Sequence, residues 1–177
     1  MPQAIPMFEE LAMALPPLPP GARVGDLACG TGNAAATVLD AYPQVELVLI
    51  DEDPDLLSIA QEKVGQFTRS VEPLRVSVPT DGAPLPGGPY DAVVASLALH
   101  AIVGHEVDRA EAESRYELLF QSILEPLRPG AHCLVGDHVG TLDLYAQLKA
   151  MERAGFAEVD CAWRQDDFFV AGGRKRP

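Results

Sequence analysis

Short, apolar, β-branched runs alternate with helical patterns about five times along this chain, and that alternation most narrows its fold. Strands apolar on both faces need cover on both sides, so the order points to a central parallel sheet between helices. The strand candidates are residues 22–28, 45–50, 74–78, 90–97 and 133–136. Between them, residues 34–42 read as a helix. Asp53-Pro54 supplies an N-cap and a first-turn proline ahead of Leu56, Leu57, Ala60, Val64 and Phe67 at helical spacing. Tyr116, Leu119, Phe120, Ile123, Leu124 and Leu127 form one stripe, with Glu111 and Arg115 paired on the solvent side and Pro129-Gly130 closing the helix. Leu144, Tyr145, Leu148 and Met151 make a last helix that ends at Gly155. Residues 156–163 and 168–171 follow with only a polar turn between them, so they pair antiparallel. A short helix at 7–15 is stopped by Pro16, Pro17, Pro19 and Pro20, and residues 79–89 form a loop. The expectation is an α/β, doubly wound, mostly parallel seven-stranded sheet with a C-terminal antiparallel strand pair, a three-layer αβα sandwich. Residues 1–20 are its lead-in and 21–177 a single domain.

Composition narrows the partners. At 177 residues, 47% of them hydrophobic, the chain suits one globular domain. Acidic residues outnumber basic ones 26 to 13, and a net charge of −13 repels phosphate backbones and anionic lipid. Nucleic acid and membrane are therefore not expected as partners. The three cysteines, Cys29, Cys133 and Cys161, are far apart in sequence, so neither a disulfide framework nor a metal cage is expected. The N-terminus lacks the pattern of a secretory leader. The longest nearly apolar run, 92–103, is broken by Ser96 and His100 and falls short of the roughly 20 residues a membrane span needs. A cytoplasmic protein is expected.

In an open α/β sheet, ligands bind beyond the carboxyl ends of the strands where their order reverses. The first strand-to-helix turn reads Asp26-Leu27-Ala28-Cys29-Gly30-Thr31-Gly32, and small residues there let the backbone approach a ligand. Asp51 ends the second strand, placed to accept from both hydroxyls of a ribose. Together they indicate a nucleoside-containing ligand. Gly30-x-Gly32-x-x-Ala35 also fits the loose dinucleotide pattern. A buried carboxylate at Asp26, however, suits an ammonium or sulfonium better than a pyrophosphate.

These residues resemble the class I S-adenosylmethionine-dependent methyltransferases. Residues 26–32 are similar to that family's glycine loop, and residues 49–57 to its second motif. Residues 90–100 resemble its fourth-strand motif and 127–131 its L-R-P-G-G turn, while Ala154-Gly155-Phe156 before a strand is a further family habit. The resemblance implies S-adenosylmethionine (SAM) as cofactor. Asp26, Ala28, Cys29, Gly30 and Gly32 would surround its methionine end, and Asp51 would hold the ribose. Glu52 would lie beside ribose and adenine, Asp81 would accept from the adenine amino group, and Ser96 would border the site. Asp81-Gly82 reads equally well as an ordinary turn. Ala28 stands where the family has its first loop glycine, and its methyl group is expected to crowd the methionine moiety.

His100, just beyond the fourth strand, and Asp137-His138, ending the fifth, are the candidate catalytic residues on the acceptor side. Their plainer roles are a helix-start histidine and a polar pair at a strand end. His105 reads as solvated, and His132 lies away from the site. Residues 96–100 lack the D-P-P-Y or N-P-P-Y of amino-group methyltransferases that act on nucleic acid. Methyl transfer to a small molecule is the favoured reading. A SAM-binding partner subunit with little activity is the alternative, and a nicotinamide-dependent oxidoreductase is disfavoured by Asp26 and the terminal strand pair. Few residues separate Asp137 from the next helix, so a second subunit in a homo-oligomer, the 104–114 region or the acceptor's own bulk is expected to complete the acceptor site.

Overall fold

In a computed structural model that describes residues 4–68 and 70–177, the chain builds one seven-stranded sheet. In chain order the elements are α1 (Ala4–Met13), β1 (Arg23–Leu27), α2 (Asn33–Ala41), β2 (Glu46–Asp51), α3 (Pro54–Val64), β3 (Val71–Arg75) and β4 (Tyr90–Ser96). They continue with α4 (Leu99–Val103), α5 (Arg109–Leu124), β5 (Leu127–His138), α6 (Leu144–Ala154), β6 (Ala157–Gln165) and β7 (Phe168–Arg174). The strand order is β3-β2-β1-β4-β5-β7-β6. The first five strands are parallel, while β7 runs antiparallel to both β5 and β6. This is the three-layer sandwich that the alternation predicts.

Successive strand residues point to opposite faces, and both faces are covered. Leu47 and Leu49 of β2, with Ala92 and Val94 of β4, pack against Met7, Leu11, Val38 and Ala60 from α1, α2 and α3. Val48 and Ile50, with Val93 and Ala95, pack on the other side with Tyr116, Leu119, Phe120 and Met151 from α5 and α6. Side-chain caps set the helix starts. Asp53 accepts from the Asp55 and Leu56 N–H groups, with Pro54 following as the first helical residue. Asp108 and Asp143 cap α5 and α6.

Several boundaries differ from expectation: α1 spans Ala4–Met13 rather than 7–15, β5 spans Leu127–His138 rather than 133–136, and two further shifts involve prolines. The third strand is Val71–Arg75, three residues earlier than 74–78, with Val71 opposite Leu47 and Arg75 opposite Asp51. Pro73 is accommodated because β3 lies at the sheet edge, where a missing N–H leaves no neighbour unpaired. Helix α5 ends at Leu124, two residues before Pro126, not at Pro129-Gly130. A proline disfavours helical backbone in the residue before it, so the helix stops early. Leu127 instead opens β5, and Pro129-Gly130 sit where the β4–β5 register shifts between Tyr90 and Ala92. Such an irregularity tolerates proline inside a sheet.

The hydroxyl of Tyr116 is buried with no hydrogen-bond partner among the described residues, and burial and the nearby Asp137 charge raise its pKa. An unpaired buried hydroxyl destabilises, so Tyr116→Phe is expected to raise stability by about 1 kcal/mol. Urea denaturation of the two proteins checks this; a midpoint lowered in the variant would show that the hydroxyl has a partner.

Candidate active site

The order of the sheet reverses at β1, which lies between β2 and β4, and the turn after β1 faces this crevice. Ala28 adopts left-handed backbone, φ 49°. The Cys29 N–H donates to the Ile50 carbonyl at 3.0 Å, and the Gly32 N–H to the Cys29 carbonyl at 2.8 Å. Gly30 and Gly32 also have positive φ, for different reasons. A Cβ at Gly30 would meet nothing within 4 Å, so this side of the turn is open to a ligand. One at Gly32 would press on Ala60 at 3.0 Å, so this glycine lets α2 sit close against α3.

Asp51 is buried and fastens two turns. One carboxylate oxygen accepts from the Gly30 N–H at 2.8 Å and the other from the Asp53 N–H at 3.0 Å. A carboxylate has about four acceptor positions, so each oxygen keeps one for a ligand hydroxyl. Asp51 also lines a cleft of about 340 Å³ with Ala28, Glu52, Val76, Ser77, Val78, Ala101 and Ile102. The Ser77 hydroxyl donates to the Glu52 carboxylate at 2.6 Å. Residues 76–78, expected within the third strand, line the cleft because β3 ends at Arg75, and Ala101 and Ile102 reach it from the short helix α4; no residue type in the sequence marks either group.

Asp26 lies beneath the turn, fully buried. One of its oxygens accepts from the Ala35 N–H at 3.1 Å and the other has no partner among the described residues. Burial pushes its carboxyl up to about 7, opposed by the Ala35 N–H and reinforced by the Asp51 charge. Burial and the same two carboxylates raise the Cys29 thiol, leaving it unsuited to nucleophilic chemistry. Asp81 is exposed and accepts from the Ala83 N–H at 3.0 Å, outside the residues that line the cleft. Ser96 is half-buried at the end of β4, opposite Gly136.

On the other side of the reversal, β4 and β5 deliver a second cluster. His100 Nδ1 lies 2.6 Å from the carboxylate of Asp137, which is fully buried, and its Nε2 lies 3.1 Å from His138 Nε2. Asp137 also accepts from the backbone N–H groups of His100 at 3.2 Å and His138 at 2.8 Å. All three candidate catalytic residues therefore meet. His105 is exposed, its ring centroid 5.6 Å from that of His100.

The methyltransferase-domain family profile matches residues 26–133, more than half of the chain. The chain belongs to that family, within the class I SAM-dependent methyltransferases. Trans-aconitate 2-methyltransferase of Variovorax paradoxus (strain S110) is 32% identical over 94 residues, covering 53% of this chain and 34% of that protein. The methyltransferase domain spans only 34–40% of the length of the first curated relatives it matches. An O-methyltransferase family protein from Burkholderia thailandensis shares the fold with a TM-score of 0.73 at 18% identity, covering 98% of this chain and 56% of that one. A structure from Bacillus halodurans C-125 matches with a TM-score of 0.67 at 16% identity over 96% of this chain and 99% of its own.

The residues present fit SAM. The unpartnered Asp26 oxygen suits its cationic amino-acid end, and the spare Asp51 acceptors suit the ribose hydroxyls.

One outcome tests this electrostatic picture without cofactor, and a second tests the strain in the turn. An acid whose folded pKa is raised binds its proton more tightly in the folded state, so its stabilising contribution is full below the unfolded value near 4. It is lost as pH rises to about 7. Unfolding free energy of the wild type, relative to Asp26→Asn, is expected to fall across that window by up to ~1.4 kcal/mol per pH unit. Parallel curves for the two proteins would show that Asp26 does not titrate there. Ala28→Gly removes the left-handed strain of a Cβ-bearing residue and is expected to stabilise the domain by about 1 kcal/mol in thermal unfolding.

Proposed function

We propose that this domain binds SAM in the cleft and transfers its methyl group to a small-molecule acceptor. The observation that carries the reading is the meeting of the Gly30 turn, the Asp51 carboxylate and the unpartnered Asp26 oxygen at one edge of the sheet. Asp51 takes the ribose hydroxyls. Glu52 and Ser77 flank them, and Val76, Val78 and Ile102 offer the adenine an apolar wall. The backbone from Ala28 to Gly32 receives the methionine end, with Asp26 answering its ammonium charge. Asp81 reaches the adenine only if its exposed turn folds over the cleft, so Ser77 is the better polar contact there.

When bound, SAM supplies a methyl group already activated on a sulfonium. The protein's share is to hold the acceptor in line and to take a proton from it where it carries one. A buried carboxylate accepting from one imidazole nitrogen turns the other into the accepting atom, and Asp137 does this for His100. His138 stands beside that atom as a second polar contact for the acceptor. The similarity to a trans-aconitate methyltransferase and the charge of −13 support a small organic acceptor over nucleic acid. Residues 21–177 form the cofactor-binding unit, with α1 covering one of its faces. A second copy of the chain or the acceptor's own bulk closes the acceptor side, and the setting is the cytoplasm. The methyl group of Ala28, on the cleft wall, favours one second reading, a SAM-binding partner subunit with little turnover.

Incubation with methyl-labelled SAM and a small-molecule extract is expected to label an organic product; binding without transfer would move the assignment to the partner subunit. Asp51→Ala is expected to weaken SAM binding by about 1–3 kcal/mol, the cost of leaving ribose hydroxyls unpaired. Calorimetry reads this, and wild-type affinity would place the ribose elsewhere. His100→Ala is expected to lower kcat by roughly 10²- to 10⁴-fold with SAM affinity unchanged. An unchanged kcat would remove His100 from proton transfer.

A further inference from the structure

We propose that His100 and His138 form a binding site for one first-row transition-metal ion of the zinc class, with Asp137 and the Val139 carbonyl orienting the two rings. His138 Nδ1 lies 3.2 Å from the Val139 carbonyl oxygen, as His100 Nδ1 lies 2.6 Å from the Asp137 carboxylate. A carbonyl and an ionised carboxylate only accept, so both Nδ1 atoms carry hydrogens. Each neutral ring then presents its Nε2 lone pair, and the two Nε2 atoms stand 3.1 Å apart. Lone pairs at that distance repel unless a cation lies between them. A metal–nitrogen distance of about 2.0–2.1 Å at a tetrahedral centre sets its two nitrogens about 3.3 Å apart, close to the spacing already present.

A single proton between the rings would also relieve the repulsion, but it leaves the second ring's anchoring without a purpose. One carboxylate-oriented imidazole suffices for a general base, whereas a metal site needs both rings held by their remote nitrogens. Carboxylate and carbonyl partners on those nitrogens are the usual outer shell of metal-bound histidines. His100, Asp137 and His138 each offer a ligand atom within 4.8 Å of the others, and the His100 side chain is only 13% exposed. The rings are tilted by 45° with centroids 3.9 Å apart, so an ion would spread them. Thirty-seven residues separate His100 from Asp137, so no sequence motif marks the site. What the ion would do rests on the transferase reading: with His100 Nε2 committed to the ion, that nitrogen would not itself take the acceptor's proton, and the ion's open positions would take an oxygen of the acceptor instead. Its binding does not rest on that reading.

Metal-free full-length protein, titrated with Co²⁺ in the absence of SAM and acceptor, is expected to show visible ligand-field bands that saturate at one ion per chain. Zn²⁺ is expected to displace the Co²⁺ and to bind at micromolar concentration or tighter. Asp137→Asn is expected to weaken binding about 10- to 100-fold. His138→Ala, checked for folding by circular dichroism, is expected to abolish the bands, and His132→Ala to leave them unchanged. Absence of bands and of retained Zn²⁺ in the wild type would overturn the site, and that measurement needs no variant to fold. Equal binding by the His100→Ala, His138→Ala double variant would overturn it as well. Neither result touches SAM binding, and a failure of methyl transfer would leave the metal titration unaffected.

Discussion

One carboxylate at the end of β2 holds the cofactor side together. Helix starts leave N–H groups without partners, and a tight turn exposes others. Asp51 takes one donor from each of two neighbouring turns, so the glycine turn after β1 cannot move independently of the start of α3. The close contact between Gly32 and Ala60 ties the same two segments through their helices. A rigid cradle results before any ligand arrives, and the acceptor positions left on Asp51 are fixed in space. Preorganisation of this kind lets binding proceed without ordering the loop.

That rigidity surrounds an electrostatic imbalance. Asp51 and Glu52 line one crevice of a chain already strongly acidic, Asp26 lies buried beneath the neighbouring turn, and nothing among the described residues answers its second oxygen. A buried carboxyl in that position resists ionisation, as its raised pKa shows. A cation reaching it converts an unfavourable burial into a pair, whereas a pyrophosphate would deepen the imbalance. Carboxylates so placed would therefore favour a cationic nucleoside ligand over a dinucleotide of similar size. Shape alone, given the loose match to a dinucleotide turn, does not make that choice.

The parts of this fold that can be read from sequence are those under local control. Both faces of β2 and β4 are covered, so their central residues, 47–50 and 92–95, are all apolar and mark strands plainly. Asp53-Pro54 and Gly155 act within a few residues of themselves, and the structure places both at helix ends. Pro73 and Pro126 are equally local, but the hydrophobic pattern around them points to a strand running past Arg75 and a helix running past Leu124, where the structure ends both elements. The glycine turn and Asp51 are legible because neighbouring parallel strands bring the ends of consecutive βα units together. The wall made by Ser77 and Ile102 is not, since it depends on how far two loops travel after leaving the sheet.

The histidine cluster lies at the limit of that legibility. Ser96 pairs with Gly136 in the parallel β4–β5 register, which brings the residues just beyond each strand end to the same edge. His100 enters through the first turn of α4 and meets Asp137 near the end of β5, so the contact depends on a sheet register and a helix start together. Neither is strongly signalled by residue type, because a histidine after a strand has many ordinary uses. The cofactor side thus comes from β1 and β2, and the polar cluster from β4 and β5. The reversal of strand order runs between them. Carboxylates of β1 and β2 therefore stand on one side of that line, and the two imidazoles with their anchoring Asp137 on the other.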